Sequence, residues 1–289
     1  MRSITIPTAL ALATFTIATA LAQDADESGA GAPPARVTVD LPPDAGTAKE
    51  RLAASPRHGE WVDVERTDGP AIKSFVVYPE RSTKAPVVIV IHEIFGLTDW
   101  VRGVADQLAK DGFIAIAPDL LSGRGPGGGG TDALGDRVTE EIRTLTVEEV
   151  VARLDGVRDH AMKIPASNGK IASIGFCWGG GMSVAYALRQ PALDAAVSYY
   201  GPLPTEPAAY ANARVPILGL YGGNDARVNT TIPPAKAALK EAGAPYEPIV
   251  YEGAGHGFLR QQDGADGANA SAARRAWSKT LTYLNEHTS

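Results

Sequence analysis

A single cysteine stands among the 289 residues, so no internal disulfide can form and the fold must be held by its core. Basic runs are missing. With 27 Lys and Arg against 33 Asp and Glu, the net charge of -6 gives no footprint for nucleic acid or an anionic membrane as partner. Cys177, His92 and His256 lack the spacing of metal ligands, so no metal and no cofactor is expected. The glycine run from Gly125 to Gly130 lacks the Lys-Ser/Thr ending that would make it a phosphate-cradling loop.

Long apolar runs are rare outside the N-terminus. There, Met1-Arg2-Ser3 is followed by Ile4 to Leu21 without an acidic residue, then by Ala20-Leu21-Ala22. This pattern predicts a signal peptide over residues 1–22, cut after Ala22, and hence an exported protein, periplasmic or secreted. The apolar stretch is short and broken by Pro7, which argues against a retained anchor, so no membrane contact is expected after cleavage. Residues 23–58, rich in Ala, Gly, Pro and Asp, are expected to be a flexible leader with at most a short helix near Thr47 to Ala54. Residues 59–289 are expected to form one domain; the mature length of about 267 residues can bury a sizeable core. A free thiol kept in an oxidising compartment points to chemistry more than to structure.

From Trp61 onward strands and helices alternate. Val62 to Val64 and Ile72 to Tyr78 read as antiparallel strands, and Val87 to Ile91 as a strand buried on both faces. Further strands are expected over Phe113–Ala117, Lys170–Ile174, Leu193–Tyr199, Val215–Tyr221 and Tyr246–Tyr251, separated by helical patterns. The fold class is therefore α/β, a mostly parallel, doubly wound sheet with helices on both faces. Gly125 to Gly130 is expected to be a mobile loop at the C-terminal edge of that sheet, where ligands of such folds bind.

The cysteine lies in Gly175-Phe176-Cys177-Trp178-Gly179-Gly180-Gly181, between an apolar strand pattern and a helical one. Glycines two positions before and after it permit the sharp turn of a nucleophile elbow, and a helix N-terminus there is expected to favour the thiolate. A thiol nucleophile needs a base, and the base needs a group to orient it. Asp225 in Gly222-Gly223-Asn224-Asp225 and His256 in Gly255-His256-Gly257 each follow a strand, giving the order Cys, Asp, His of an α/β-hydrolase. His256 would face the thiolate and protonate the leaving group, with Asp225 fixing its tautomer. His92, at the end of Val87 to Ile91, is the rival base, and motif order favours a hydrogen-bonded structural role for it. Asp119, after Pro118, reads as a turn cap.

Taken together, His92-Glu93-Ile94-Phe95-Gly96-Leu97, Ala117-Pro118-Asp119-Leu120-Leu121, the elbow, Ser198-Tyr199-Tyr200-Gly201, Gly222 to Asp225 and His256-Gly257-Phe258 resemble the dienelactone hydrolase (carboxymethylenebutenolidase) family from about Trp61 to Asn285. The resemblance implies an α/β-hydrolase fold and hydrolysis of a small ester or lactone through a triad of Cys177, Asp225 and His256. It assigns Glu93 to the thiol, which it helps switch on when substrate arrives, and the backbone N–H groups of Ile94 and Trp178 to the oxyanion hole. It also implies that Arg260 and Arg124 bind a substrate carboxylate, with Tyr199 or Tyr200 lining the pocket. Two other readings remain open at this stage: a broad esterase or acyltransferase on the same residues, and a catalytically silent fold that binds a small ligand or senses oxidants through Cys177. The physiological substrate and the oligomeric state cannot be read from the sequence.

Overall fold

Val87 to Ile91 contains no polar residue because both faces of its strand are covered. The computed structural model describes residues 40–289, together with Met1 and Ser3. Eight strands form one sheet: β1 (Gly59–Val64), β2 (Ile72–Val77), β3 (Ala85–Ile91), β4 (Ile114–Pro118), β5 (Ser167–Phe176), β6 (Ala195–Tyr199), β7 (Ile217–Gly222) and β8 (Tyr246–Tyr251). Their order is β1-β2-β4-β3-β5-β6-β7-β8. β1 and β2, and β2 and β4, pair antiparallel, and every other neighbouring pair is parallel.

The helices are α1 (Ala48–Ala53), α2 (Asp99–Lys110), α3 (Thr131–Leu134), α4 (Val138–Glu141), α5 (Val147–Ala161), α6 (Trp178–Ala187), α7 (Ala226–Asn229), α8 (Ile232–Ala242) and α9 (Ala268–Thr288). Two apolar layers flank the sheet, and the strands alternate between them. Val87, Ile89 and Ile91 of β3 share one layer with Leu154 of α5, Val184 of α6 and Leu239 of α8. Val88 and Val90 face the other, with Val104 and Leu108 of α2 and Trp277 of α9. Period-two side chains on a doubly covered sheet thus explain why a central strand is apolar throughout. Each parallel connection returns the chain through a helix, which leaves the ends of β3, β5, β7 and β8 on one edge.

The expected leader needs correction from Asp40 onward. Pro43 O accepts from Trp100 Nε1 at 2.9 Å, and Ala45 N–H donates to Arg260 O at 2.9 Å. Arg57 forks onto Asp106 through Nε at 2.9 Å and a terminal nitrogen at 2.5 Å, while Ala48 is buried. Polar and main-chain bonds seat this segment, so its lack of an apolar period was a poor guide to its order. The short helix near Thr47 is present as α1. Residues 4–39, which include nearly all of the expected signal peptide and the first part of the leader, lie outside the described residues. No helix among the described residues is long and apolar enough to cross a membrane.

The glycine run, expected as a mobile loop, carries main-chain hydrogen bonds of its own. Gly125 N–H bonds Gly129 O at 2.7 Å, and Gly123 N–H bonds Gly128 O at 3.2 Å, closing the stretch on itself. Asp119 Oδ2 then caps Thr131 N–H at 2.7 Å, fixing the entry to α3.

Candidate active site

β5 ends at Phe176 and α6 begins at Trp178, so Cys177 is the whole connection between them. Its φ of 54° and ψ of -118° lie where side chains are rarely found, a strain of about 1–3 kcal/mol that the neighbouring backbone must enforce. The flanking glycines show how. A Cβ on Gly175 would lie 1.9 Å from Gly179 O, and one on Gly179 would lie 2.3 Å from His92 O. The turn packs backbone on backbone, and only glycine fits. Cys177 is half-buried, and its N–H is held by Tyr199 O at 3.0 Å.

Asp225 follows β7 by three residues and is buried; His256 follows β8 and is about one-third exposed. They meet at 2.5 Å, Nδ1 to Oδ2. With Nδ1–H donated to the carboxylate, Nε2 is left free as an acceptor. His92 is arranged otherwise. It is fully buried, and Leu120 N–H donates to its Nε2 at 3.2 Å, so the proton must sit on Nδ1, which donates to Glu93 O at 2.9 Å. Burial pushes its pKa down and keeps the ring neutral. The same bond orients the Glu93–Ile94 peptide, and the ring stacks on Trp178 at 5.6 Å, so His92 supports the turn from below.

Glu93 is buried beside the elbow, where burial raises its pKa to about 7 against the opposing charge of Arg260. Arg260 Nε lies 3.2 Å from Glu93 Oε2, and its guanidinium also covers the half-exposed ring of Phe95 at 4.9 Å. The thiol shows the converse of what the helix N-terminus alone led one to expect. Burial, and next the charge of Glu93, raise the pKa of Cys177; the Trp178 N–H and Arg227 pull the other way and lose. A half-buried thiol beside a carboxylate rests as S–H.

Trp178 opens α6 directly after Cys177, where the first N–H groups of a helix have no intrahelical acceptor, and Ile94 N–H donates to no acceptor among the described residues, so both expected oxyanion donors remain available. Tyr200 packs its ring 5.1 Å from His256. Two expected site residues are not brought in. Arg124 bonds Thr144 Oγ1 at 3.0 Å and pairs with Glu149, which also holds Arg153 at 3.0 Å; it belongs to a surface network rather than to the thiol's surroundings. Tyr199 is core: its hydroxyl bonds Thr280 Oγ1 at 2.7 Å and its ring lies between Phe176 and Phe258. A cation that the sequence reading passed over is Arg227, exposed in α7, whose charge reaches Cys177 and which enters no ion pair among the described residues. Its place two residues after Asp225 was the available signal. A groove of about 450 Å³ opens beside Phe95, lined by Thr131, Asp132, Gly135, Asp136 and Val138.

Sheet order and the strained turn at its edge define the class: this is an α/β-hydrolase. The model of the dienelactone hydrolase family matches residues 72–288, and the chain belongs to that family, as an enzyme that hydrolyses carboxylic esters or lactones. It is similar to a carboxymethylenebutenolidase of Pseudomonas putida, with 30% identity over 234 residues that cover 78% of this chain and 95% of that one. Among solved structures it resembles a dienelactone hydrolase-like promiscuous phosphotriesterase from metagenomic libraries, with a TM-score of 0.69 and 24% identity over 81% of this chain and 99% of that one. The dienelactone hydrolase of Anabaena variabilis gives a TM-score of 0.62 at 21% identity, covering 81% of this chain and 99% of that one. At those identities the two structures support the fold alone.

Proposed function

We propose that the protein hydrolyses small esters or lactones that carry a carboxylate, using Cys177 as nucleophile, His256 as base and Asp225 to orient it. The observation that carries this reading is the buried Glu93, paired with Arg260 on one side and raising the thiol's pKa on the other. A substrate carboxylate competes for Arg260, which can clamp it through parallel N–H bonds. Glu93, losing its cation, becomes a stronger base and takes the Cys177 S–H proton; the carboxyl so formed gives that proton up to His256 Nε2 and returns to carboxylate. Thiolate then attacks the carbonyl carbon, and the developing oxyanion is held by Ile94 N–H and Trp178 N–H. As the C–O bond breaks, His256 returns the proton to the departing oxygen, leaving a thioester. His256 next takes a proton from water as the new hydroxide adds; the C–S bond breaks, and the imidazolium reprotonates the sulfur.

The direct test is release of nitrophenol from p-nitrophenyl acetate and from the p-nitrophenyl ester of glutaric acid. An inert protein on both would sink the reading. Arg260→Ala is expected to raise KM for the acidic ester by about tenfold or more, as loss of a charge-assisted bond would, with little change on the acetate. Equal losses on the two would show that Arg260 only supports Glu93 and Phe95.

Glu93 also predicts a pH dependence. Its pKa near 7 means that the free enzyme below that pH holds a protonated carboxyl, unable to accept the thiol proton. Log kcat/KM is therefore expected to rise with pH and level off above about 7, and this limb should vanish in Glu93→Gln. The same limb persisting in Glu93→Gln would assign it to another group.

A further inference from the structure

The hydroxyl of Tyr200 is fully buried and bonds to nothing among the described residues. Tyr199, next to it, shows the ordinary arrangement, with its hydroxyl satisfied by Thr280. A buried O–H without an acceptor costs stability, and such exceptions call for an explanation. Tyr200 adds a second cost, a φ of 41° in the left-handed region that favours glycine. It cannot back away. Its N–H is tied to Leu220 O at 2.8 Å, and Gly201 after it packs so tightly that a Cβ there would lie 2.3 Å from Gly180.

That strain delivers the ring to the catalytic residues. It lies 5.1 Å from the ring of His256, 6.4 Å from Phe176, the residue before the nucleophile, and edge-on to Phe258 at 5.3 Å. After burial, the charge of Glu93 is the largest cause raising the hydroxyl's pKa, with Cys177 adding to it and Arg260 opposing. The phenol therefore stays protonated, a buried donor without an acceptor beside the ring of His256.

We propose that Tyr200 is a positioning residue whose hydroxyl donates a hydrogen bond to the Glu93 carboxylate once substrate has taken Arg260, holding that carboxylate against the Cys177 thiol. The proposal rests on the role of Glu93 given above. In the resting enzyme Glu93 is ion-paired with Arg260 and the hydroxyl is idle; in the engaged enzyme the hydroxyl takes the place of the lost guanidinium. No covalent bond of Tyr200 changes, and its proton stays on the phenol oxygen.

Tyr200→Phe keeps the ring and removes only the idle donor. On the acidic p-nitrophenyl ester, kcat is expected to fall about tenfold with KM changed by less than about twofold, while the melting temperature rises by about 2 °C or more because an unsatisfied buried group is gone. Tyr199→Phe is the control, expected to lower the melting temperature and leave kcat alone. An unchanged kcat in Tyr200→Phe would overturn the proposal. So would a loss of kcat that comes with a lower melting temperature, since ring packing would then be the cause. A wild-type protein inert on both esters removes the reading of Glu93 as well, whereas an active wild type with an indifferent Tyr200→Phe removes this inference alone.

Discussion

Cys177→Ala is expected to lower kcat on the p-nitrophenyl ester of glutaric acid by about a thousandfold or more, the loss that follows removal of a nucleophile that works as part of a unit. The fold should survive. Alanine has the same Cβ as cysteine in the same strained turn, and the bonds that impose the turn, Cys177 N–H to Tyr199 O and Gly181 N–H to Cys177 O, are main-chain. Only the half-buried sulfur is lost. A melting temperature close to wild type with an inert enzyme would separate chemistry from packing. Because Cys177 is the chain's sole thiol, iodoacetamide should add one label to the wild type and none to the variant. The raised thiol pKa sets the rate of that labelling: slow at neutral pH in the free enzyme, since the thiolate is the reacting form. Near-normal turnover by Cys177→Ala would end the triad reading.

What was legible in the sequence was whatever depends on local pattern. Continuous apolar runs marked the doubly covered strands, and all eight expected strands are present, because period and length in a buried parallel sheet leave little ambiguity. Glycines around Cys177 marked the elbow because the turn excludes a Cβ. Residues whose environment is set by distant chain were read less well. Arg124 sits at a promising place after β4, but Glu149, on α5, takes its guanidinium. The thiol's pKa needed the depth of the site and the position of Glu93, neither of which is contained in the motif around the cysteine. Tyr199 and Tyr200 are adjacent and identical in type, yet the pleat sends one to Thr280 in the core and the strained φ of the other swings it toward His256. Residues 40–58 have the composition of a loose leader and are nonetheless held, by Trp100, Asp106 and the carbonyl of Arg260.

The two histidines that follow β3 and β8 offer the sharpest remaining test, because chain order favoured His256 while His92 is next to Glu93 in sequence. His256→Ala is expected to cost kcat about as much as loss of the nucleophile, on the order of a thousandfold or more, and to add little when combined with Cys177→Ala, since members of a catalytic unit are not additive. Its ring is partly exposed, so removing it leaves no buried cavity, but it takes the 2.5 Å donor from the buried Asp225 carboxylate, so the melting temperature should fall modestly while the fold survives. His92→Ala works on different terms. It empties a fully buried site and strips a donor from Glu93 O and an acceptor from Leu120 N–H. Lost buried hydrogen bonds and a cavity together are expected to cost about 2–4 kcal/mol of stability. Loosening of the peptide that presents Ile94 N–H should lower kcat by about tenfold to a hundredfold. His92 cannot act as the base in its place: with Nε2 accepting from Leu120 N–H and Nδ1 donating to Glu93 O, neither nitrogen is free to take a proton. A His256→Ala variant with near-wild-type turnover, beside an inert but folded His92→Ala, would reverse these assignments and require the proton path to run through the strand end of β3.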